Sequence, residues 1–209
     1  MRMKASPSYW MSIMIKVTEW LTDKDISYTI FGSACFSLLV RPVYTKDIDI
    51  LIRPFPEIEE SSKFAIELRN ILGGIRAFPL FDALEGDRII VEVGTPDGLV
   101  GVELWSHILR EKKSIIFIDK SIEVSHQGKT LRVLPPELYL ATKLCELTPE
   151  PIDKERIDEL LHVYEDKMDI EYVIWAIKIL NCPSLAKGNI NLWYGEKKPK
   201  ILIEILSHI

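Results

Sequence analysis

Hydrophobic and polar positions alternate along this chain in two regimes. The run from Tyr9 to Leu21 is apolar at helical spacing, broken by Lys16 and Glu19, which predicts an amphipathic helix lying on the domain. Tyr28 to Phe31 is a short β-prone run, and Ala34 to Val40 suits a short buried helix. Phe64 to Leu72 reads as a helix stopped at Gly73-Gly74. Arg88–Val93 and Leu99–Trp105 are two strand-like runs, and the turn signal Gly94-Thr95-Pro96-Asp97-Gly98 between them predicts a hairpin. Leu131–Leu134 is a further short strand, after which Pro135-Pro136 opens a helix through Leu147. Beyond Pro151 the pattern is helical, over Lys154–Lys167, Ile170–Leu180 and Lys200–Ser207. A mixed α/β half over residues 1–130 thus gives way to a helical region over 131–209.

One strand-like run breaks its own rule. In Asp47-Ile48-Asp49-Ile50 two aspartates alternate with isoleucines, and strands disfavour aspartate. Side chains two apart share a strand face, about 7 Å apart at roughly 3.3 Å rise per residue. Two carboxylates so placed can converge on divalent cations, and acids beside an apolar core are costly without positive charge. Local rules fail mostly at working sites.

Thirteen residues upstream, Gly32-Ser33 falls at the predicted strand-to-helix turn. Gly32 lets a ligand approach the backbone closely, and a helix N-terminus offers N–H groups to phosphate. The Ser33 hydroxyl adds one donor. Read alone, Ser33 is an N-cap; coupled to the Asp pair, phosphate binding is the better reading.

Gly32-Ser33, the intervening helix and Thr45-Lys46-Asp47-Ile48-Asp49 together resemble the signature of the nucleotidyltransferase superfamily related to DNA polymerase β. Within it the chain is similar to the small prokaryotic branch of AbiEii-type toxins and aminoglycoside nucleotidyltransferases. The resemblance covers the first half of the chain well and the second loosely. It implies an α/β nucleotidyltransferase fold, a mixed β-sheet flanked by helices, followed by a small α-helical C-terminal region.

The resemblance also implies a third acid on a later strand. Glu103 has the family's context, following a turn and preceding apolar residues, although relatives often carry Asp there; Glu92 reads as an exposed strand residue. Gly101 and Trp105 share the face of Glu103, with Gly101 expected to make room for substrate. Asp47, Asp49 and Glu103 would then hold two Mg²⁺ (or Mn²⁺) for phosphoryl transfer from an NTP. The segment Leu134–Leu144 resembles the helix after the catalytic domain in these transferases, where a lysine faces the nucleotide. Lys143 therefore either contacts the triphosphate with Gly32 and Ser33 or snorkels to solvent. The family's next basic and acidic cluster is only approximated by Asp153-Lys154-Glu155-Arg156-Ile157-Asp158, so no role is carried over. Thr45 and Arg41 are explained by surface turn chemistry.

Composition fits this picture without sharpening it. Of 209 residues 47% are hydrophobic and 27% charged, enough for a sizeable core. The net charge of −5 gives no global field favouring nucleic acid, and Lys197, Lys198 and Lys200 read as a solvated surface. No signal peptide or membrane span is expected. Cys35, Cys145 and Cys182 show no metal or redox spacing, and each is expected to pack as a small apolar residue in a reducing, cytoplasmic compartment. His107, His126, His162 and His208 are scattered, and there is no Walker A, Gly-x-Gly-x-x-Gly or His-Glu-x-x-His pattern.

The expected function is transfer of NMP from an NTP to a hydroxyl on an RNA end, a protein or a small molecule. Two alternatives stay open: a non-catalytic nucleotide-binding or regulatory module, and the enzyme toxin of a toxin–antitoxin pair with an antitoxin partner.

Overall fold

The computed structural model describes residues 7–82, 86–96 and 98–209. Seven strands form one mixed sheet: β1 (Ser27–Phe31), β2 (Asp47–Arg53), β3 (Arg76–Leu80), β4 (Arg88–Thr95), β5 (Gly98–Trp105), β6 (Ile122–His126) and β7 (Lys129–Val133). Their spatial order is β3-β4-β5-β2-β1-β7-β6. β2 lies at the centre, antiparallel to β1 and parallel to β5. Ile48, Ile50, Leu51 and Ile52 of β2 are completely buried, so Asp47 and Asp49 near its start and Arg53 at its end are the residues that look outward from the core.

The eight helices are α1 (Pro7–Asp23), α2 (Gly32–Leu39), α3 (Ile58–Leu72), α4 (Pro136–Leu144), α5 (Pro151–Tyr164), α6 (Ile170–Ile179), α7 (Pro183–Tyr194) and α8 (Lys200–His208). On α1, Trp10, Met14, Val17 and Leu21 are fully buried at helical spacing, confirming its amphipathic reading. Trp20 of α1 stacks edge-on against Phe64 of α3 at 4.9 Å. α3 carries Glu59 and Glu60 in its first turn and Arg69 in its last, and it ends on Gly73 in the left-handed conformation. α4 opens on Pro136 at its first position and is buried along its whole length between the sheet and the later helices.

The predicted elements recur with shifted ends. α3 begins six residues before Phe64, because its first turns are polar, and the helix expected to reach Leu147 stops at Leu144 with Cys145 as its cap. The hairpin forms as read, with Thr95 opposite Gly98; Asp97 of its turn lies outside the described residues. β3, β6, α7 and a 3₁₀ segment at Lys112–Lys120 have no counterpart in the sequence reading. β3 contains Pro79 and sits at the sheet edge, where a missing N–H is tolerated. β7 spans residue 130 and lies beside β1, so the sheet takes its last strand from the start of the C-terminal region. No helix among the described residues is long and apolar enough to cross a membrane.

The cysteine expectation is corrected. Cys145, at the end of α4, and Cys182, just before α7, form a disulfide across 37 positions, with Cα atoms 5.7 Å apart. Their spacing gives no hint of this, because the pairing is created by the packing of α4, α6 and α7. A loop of that length closed in the unfolded chain corresponds to on the order of 4 kcal/mol of stabilisation in the chain-entropy picture. Cys35 is free and buried, as expected. Burial pushes its thiol well above the ordinary value.

The centre of the sheet should dominate stability. Ile50→Ala is expected to lower unfolding free energy by about 2–5 kcal/mol, the range for truncating a fully enclosed aliphatic side chain. Ile203→Ala, on an exposed position of α8, should change it by less than about 0.5 kcal/mol. Urea denaturation of both variants checks this, and similar losses in the two would contradict the assignment of the core.

Candidate active site

The end of β1, the start of β2 and the end of β5 meet on one edge of the sheet, and the predicted residues collect there. Asp49 is in register with Phe31 on β1 and with Glu103 on β5, while Asp47 is in register with Gly101. Register partners on neighbouring strands share a face, so Asp47, Asp49, Glu103 and Trp105 all project to the same side. Thr45 sets the entry to β2: it is buried, not a surface turn residue, and its hydroxyl donates to the Asp47 carbonyl at 2.6 Å.

Both glycines of this region are steric requirements. Gly32 has a left-handed φ of 63°, and a side chain there would collide with the Asp49 carboxylate. A Cβ on Gly101 would lie 2.6 Å from Asp47 Oδ1. Gly101 therefore clears space for Asp47, where sequence reasoning expected it to clear space for substrate.

Asp49 lies deep on the cleft floor with part of its surface open to the cavity. Crowding by protein, then repulsion from Glu103 and Asp47, pushes its carboxyl up to about 7. Desolvation also raises Asp47, partly offset by Lys46 and Arg88. The Trp105 indole N–H donates to Asp49 Oδ1 at 3.3 Å. Arg88 stacks over Trp105 at 4.5 Å and approaches Glu103 Oε2 at 3.7 Å. Glu92 shares this sheet face but sits opposite Gly101, where it pairs with Arg76 at 2.5 Å, away from the Asp pair.

The helical region supplies the opposite wall. A cavity of about 340 Å³ is lined by Gly32, Ser33, Asp49, Trp105, Lys143 and Glu146, among others. Lys143 does not snorkel: it is only 7% exposed, held by Glu146 at 2.5 Å and Asp153 at 2.9 Å. Burial pulls its ammonium down, and Glu146 more than offsets this, leaving it above its ordinary value. Burial raises the Glu146 carboxyl to about 7 despite Lys143, whereas Asp153 is held below its usual value by Lys143 against the same effect. Asp153 Oδ2 also accepts from the Glu150 N–H, closing the first turn of α5.

Three of these groups escaped the sequence reading: Glu146, Asp153 and Arg156. Arg156 of α5 donates to the Ser33 hydroxyl at 2.9 Å, and its buried Nε has no hydrogen-bond partner among the described residues. The loose basic and acidic cluster at 153–158 was the only sequence signal for Asp153 and Arg156, and Glu146 had none.

The donor set suits a hard divalent cation. It consists of carboxylate oxygens, with Asp49 raised first by burial and then by its acidic neighbours. Among the described residues no three Asp, Glu, His or Cys side chains are drawn together closely enough to cage a metal unaided.

No protein-family model matches the sequence, and no curated protein matches it either. Solved structures do. An antigenic nucleotidyltransferase-like protein from Paracoccidioides brasiliensis superposes with a TM-score of 0.53 at 14% identity, over 90% of this chain and 94% of that one. The antibiotic-resistance factor ANT(2'')-Ia gives a TM-score of 0.55 at 14% identity, over 88% of this chain and 97% of its own. With its mixed seven-stranded sheet, flanking helices and helical C-terminal region, the chain has the nucleotidyltransferase fold.

Proposed function

We propose that this protein transfers a nucleotidyl group from an NTP to a hydroxyl acceptor. The observation that carries the reading is the placement of Asp47, Asp49 and Glu103 on one sheet face, with Asp49 lining the cavity that Gly32, Ser33 and Lys143 also line.

The chain's own groups divide the task. The Ser33 hydroxyl and the free N–H groups at the start of α2 bind the triphosphate, and Lys143 neutralises part of its charge. Arg156 orients Ser33. Asp47, Asp49 and Glu103 would hold Mg²⁺ or Mn²⁺, which when bound lowers the acceptor hydroxyl's pKa and neutralises the leaving pyrophosphate. Glu103 accepts the hydroxyl proton, the acceptor oxygen bonds to the α-phosphorus, and the bond from that phosphorus to pyrophosphate breaks. Trp105 and Phe31, packed edge-to-face at 6.2 Å, shield the Asp49 side of the cleft from water.

The electrostatic strain at Asp49 makes activity and stability pull in opposite directions. Its folded-state value near 7 lies above that of an unfolded aspartate, so the folded protein retains a proton that the unfolded chain releases. The cost of ionising it therefore grows as pH rises from about 4 to about 7 and stays constant above. In metal-free buffer Asp49→Asn should be more stable than the wild type at pH 8, by about 2–3 kcal/mol after screening by cleft water, with no advantage near pH 4. The same variant should lose transfer at least about a hundredfold. Thermal melts across pH together with transfer of labelled NMP check both, and a variant less stable than wild type at pH 8 would remove the electrostatic account.

Ser33→Ala should weaken NTP binding by roughly 1.5–3 kcal/mol, about ten- to a hundredfold, the value of one hydrogen bond to a charged group. Calorimetric titration with a non-hydrolysable NTP measures it, and unchanged affinity would remove Ser33, which lies inside α2 and does not cap it, from the triphosphate site.

Glu103→Gln should stop transfer while NTP still binds, because Asp47 and Asp49 remain. Glu92→Gln should leave transfer intact, since Glu92 is tied to Arg76 outside the cleft. Single-turnover assays of the two variants would reverse the assignment if Glu92→Gln were the inactive one.

A further inference from the structure

We infer that the Cys145–Cys182 pair is a thiol–disulfide modification site that governs the helical wall of the cleft, with a small dithiol as its reductant. The segment 142–148 is that wall. Thr142, Lys143, Glu146, Leu147 and Thr148 line the 340 Å³ cavity. On its other side Cys145 and Leu147 line a second cavity of about 500 Å³, together with Cys182 and residues 183–185. The disulfide borders the second cavity, next to Leu147, which lines both.

The segment is fastened to α7 at two kinds of point. One is the covalent bond from Cys145 to Cys182. The other is Asn189, a buried α7 residue whose amide donates to the carbonyls of Leu144 and Glu146 at 2.9 and 2.8 Å. Without the bond, the position of Glu146 relative to α7 rests on Asn189 and packing alone. Glu146 is also a holder of Lys143, so loosening the segment reaches the proposed triphosphate site directly.

Access is one-sided. Cys145 is 2% exposed, whereas Cys182 is only partly buried and opens on the second cavity. A reductant thiolate entering there attacks the Cys182 sulfur, forming a mixed disulfide as the protein's S–S bond breaks and Cys145 leaves as thiolate. The reductant's second thiolate then displaces Cys182. The protein gains two electrons and two protons as two thiols, and the dithiol is oxidised to its disulfide.

The effect on nucleotide rests on the function proposed above, so the test separates the two. Protein purified without reductant is compared with protein treated with dithiothreitol and with Cys182→Ser. Alkylation after denaturation should label one cysteine of three in the first and all three after reduction. Deuterium exchange across 142–148 should quicken on reduction and in Cys182→Ser, which itself should no longer respond to dithiothreitol. Affinity for a non-hydrolysable NTP with Mg²⁺ should fall about three- to tenfold in the same two states. Three alkylated cysteines before reduction, or exchange across 142–148 identical in all states, would overturn the inference. Faster exchange with no NTP binding in any state would support the redox site and sink the nucleotide reading.

Discussion

A carboxylate crowded into a place that disfavours its charge organises this protein. Asp49 sits where β1, β2 and β5 meet, close to two other acids and short of solvent. Its neighbours are fixed by that fact. Gly32 must lack a side chain because the Asp49 carboxylate occupies the space, and Trp105 is turned so that its N–H meets Asp49. Gly101 makes the same concession to Asp47. A sheet that buries Ile48, Ile50 and Ile52 on the alternate positions of the same strand supplies the rigidity to hold acids that repel each other.

The helical region answers this deficit from across the cleft. Its buried ammonium, Lys143, is not a lone cation but one member of a group with Glu146 and Asp153. Removing the lysine would leave two enclosed carboxylates without their partner, so it has a structural function of its own. Asp153 closes the first turn of α5 and anchors Lys143 with its two oxygens, which couples the position of a helix to the position of a charge. Arg156, one turn further along α5, reaches Ser33 on α2. The helices after the sheet are thus part of the site.

What could be read from the chain was what short-range patterning dictates. The alternation in Asp47–Ile50, the glycine-serine turn and the hairpin with Glu103 are local signals; Asp47, Asp49 and Glu103 share one sheet face, and Gly32, Ser33 and Asp49 line one cavity. The segments that went unread are those with weak patterns: β3 interrupted by Pro79, and α7 with Gly188 between its apolar positions. The site partners Glu146, Asp153 and Arg156 were illegible for a different reason. Asp153 and Arg156 meet Lys143 and Ser33 only when α5 docks against α4 and α2, the latter across 123 residues. Glu146, in contrast, pairs with Lys143 three residues away from just beyond the end of α4. The disulfide belongs to the same class, as does the burial of Lys143, whose long side chain could equally have reached solvent from a less covered helix.

Backbone conformation follows the same logic as charge. Among the described residues five non-glycine positions adopt positive φ, and Leu109, Arg110 and Asn181 among them line the two adjoining cavities. Leu109 and Arg110 occupy the centre of a tight reversal between Ile108 and Glu111, a conformation suited to Asn or Gly. It is held from outside, since the Ile108 N–H donates to the buried Ser114 hydroxyl at 2.7 Å. Such conformations persist only where the surroundings over-determine them. Here the strain lies at the junction of the two cavities, where Arg110 and Leu147 belong to the walls of both. The reversal itself keeps its course, because relaxing it would require breaking the contacts of buried Ile108 and Ser114. The cleft is thereby shaped before anything binds, by repulsion on its sheet side and by backbone strain on its rim.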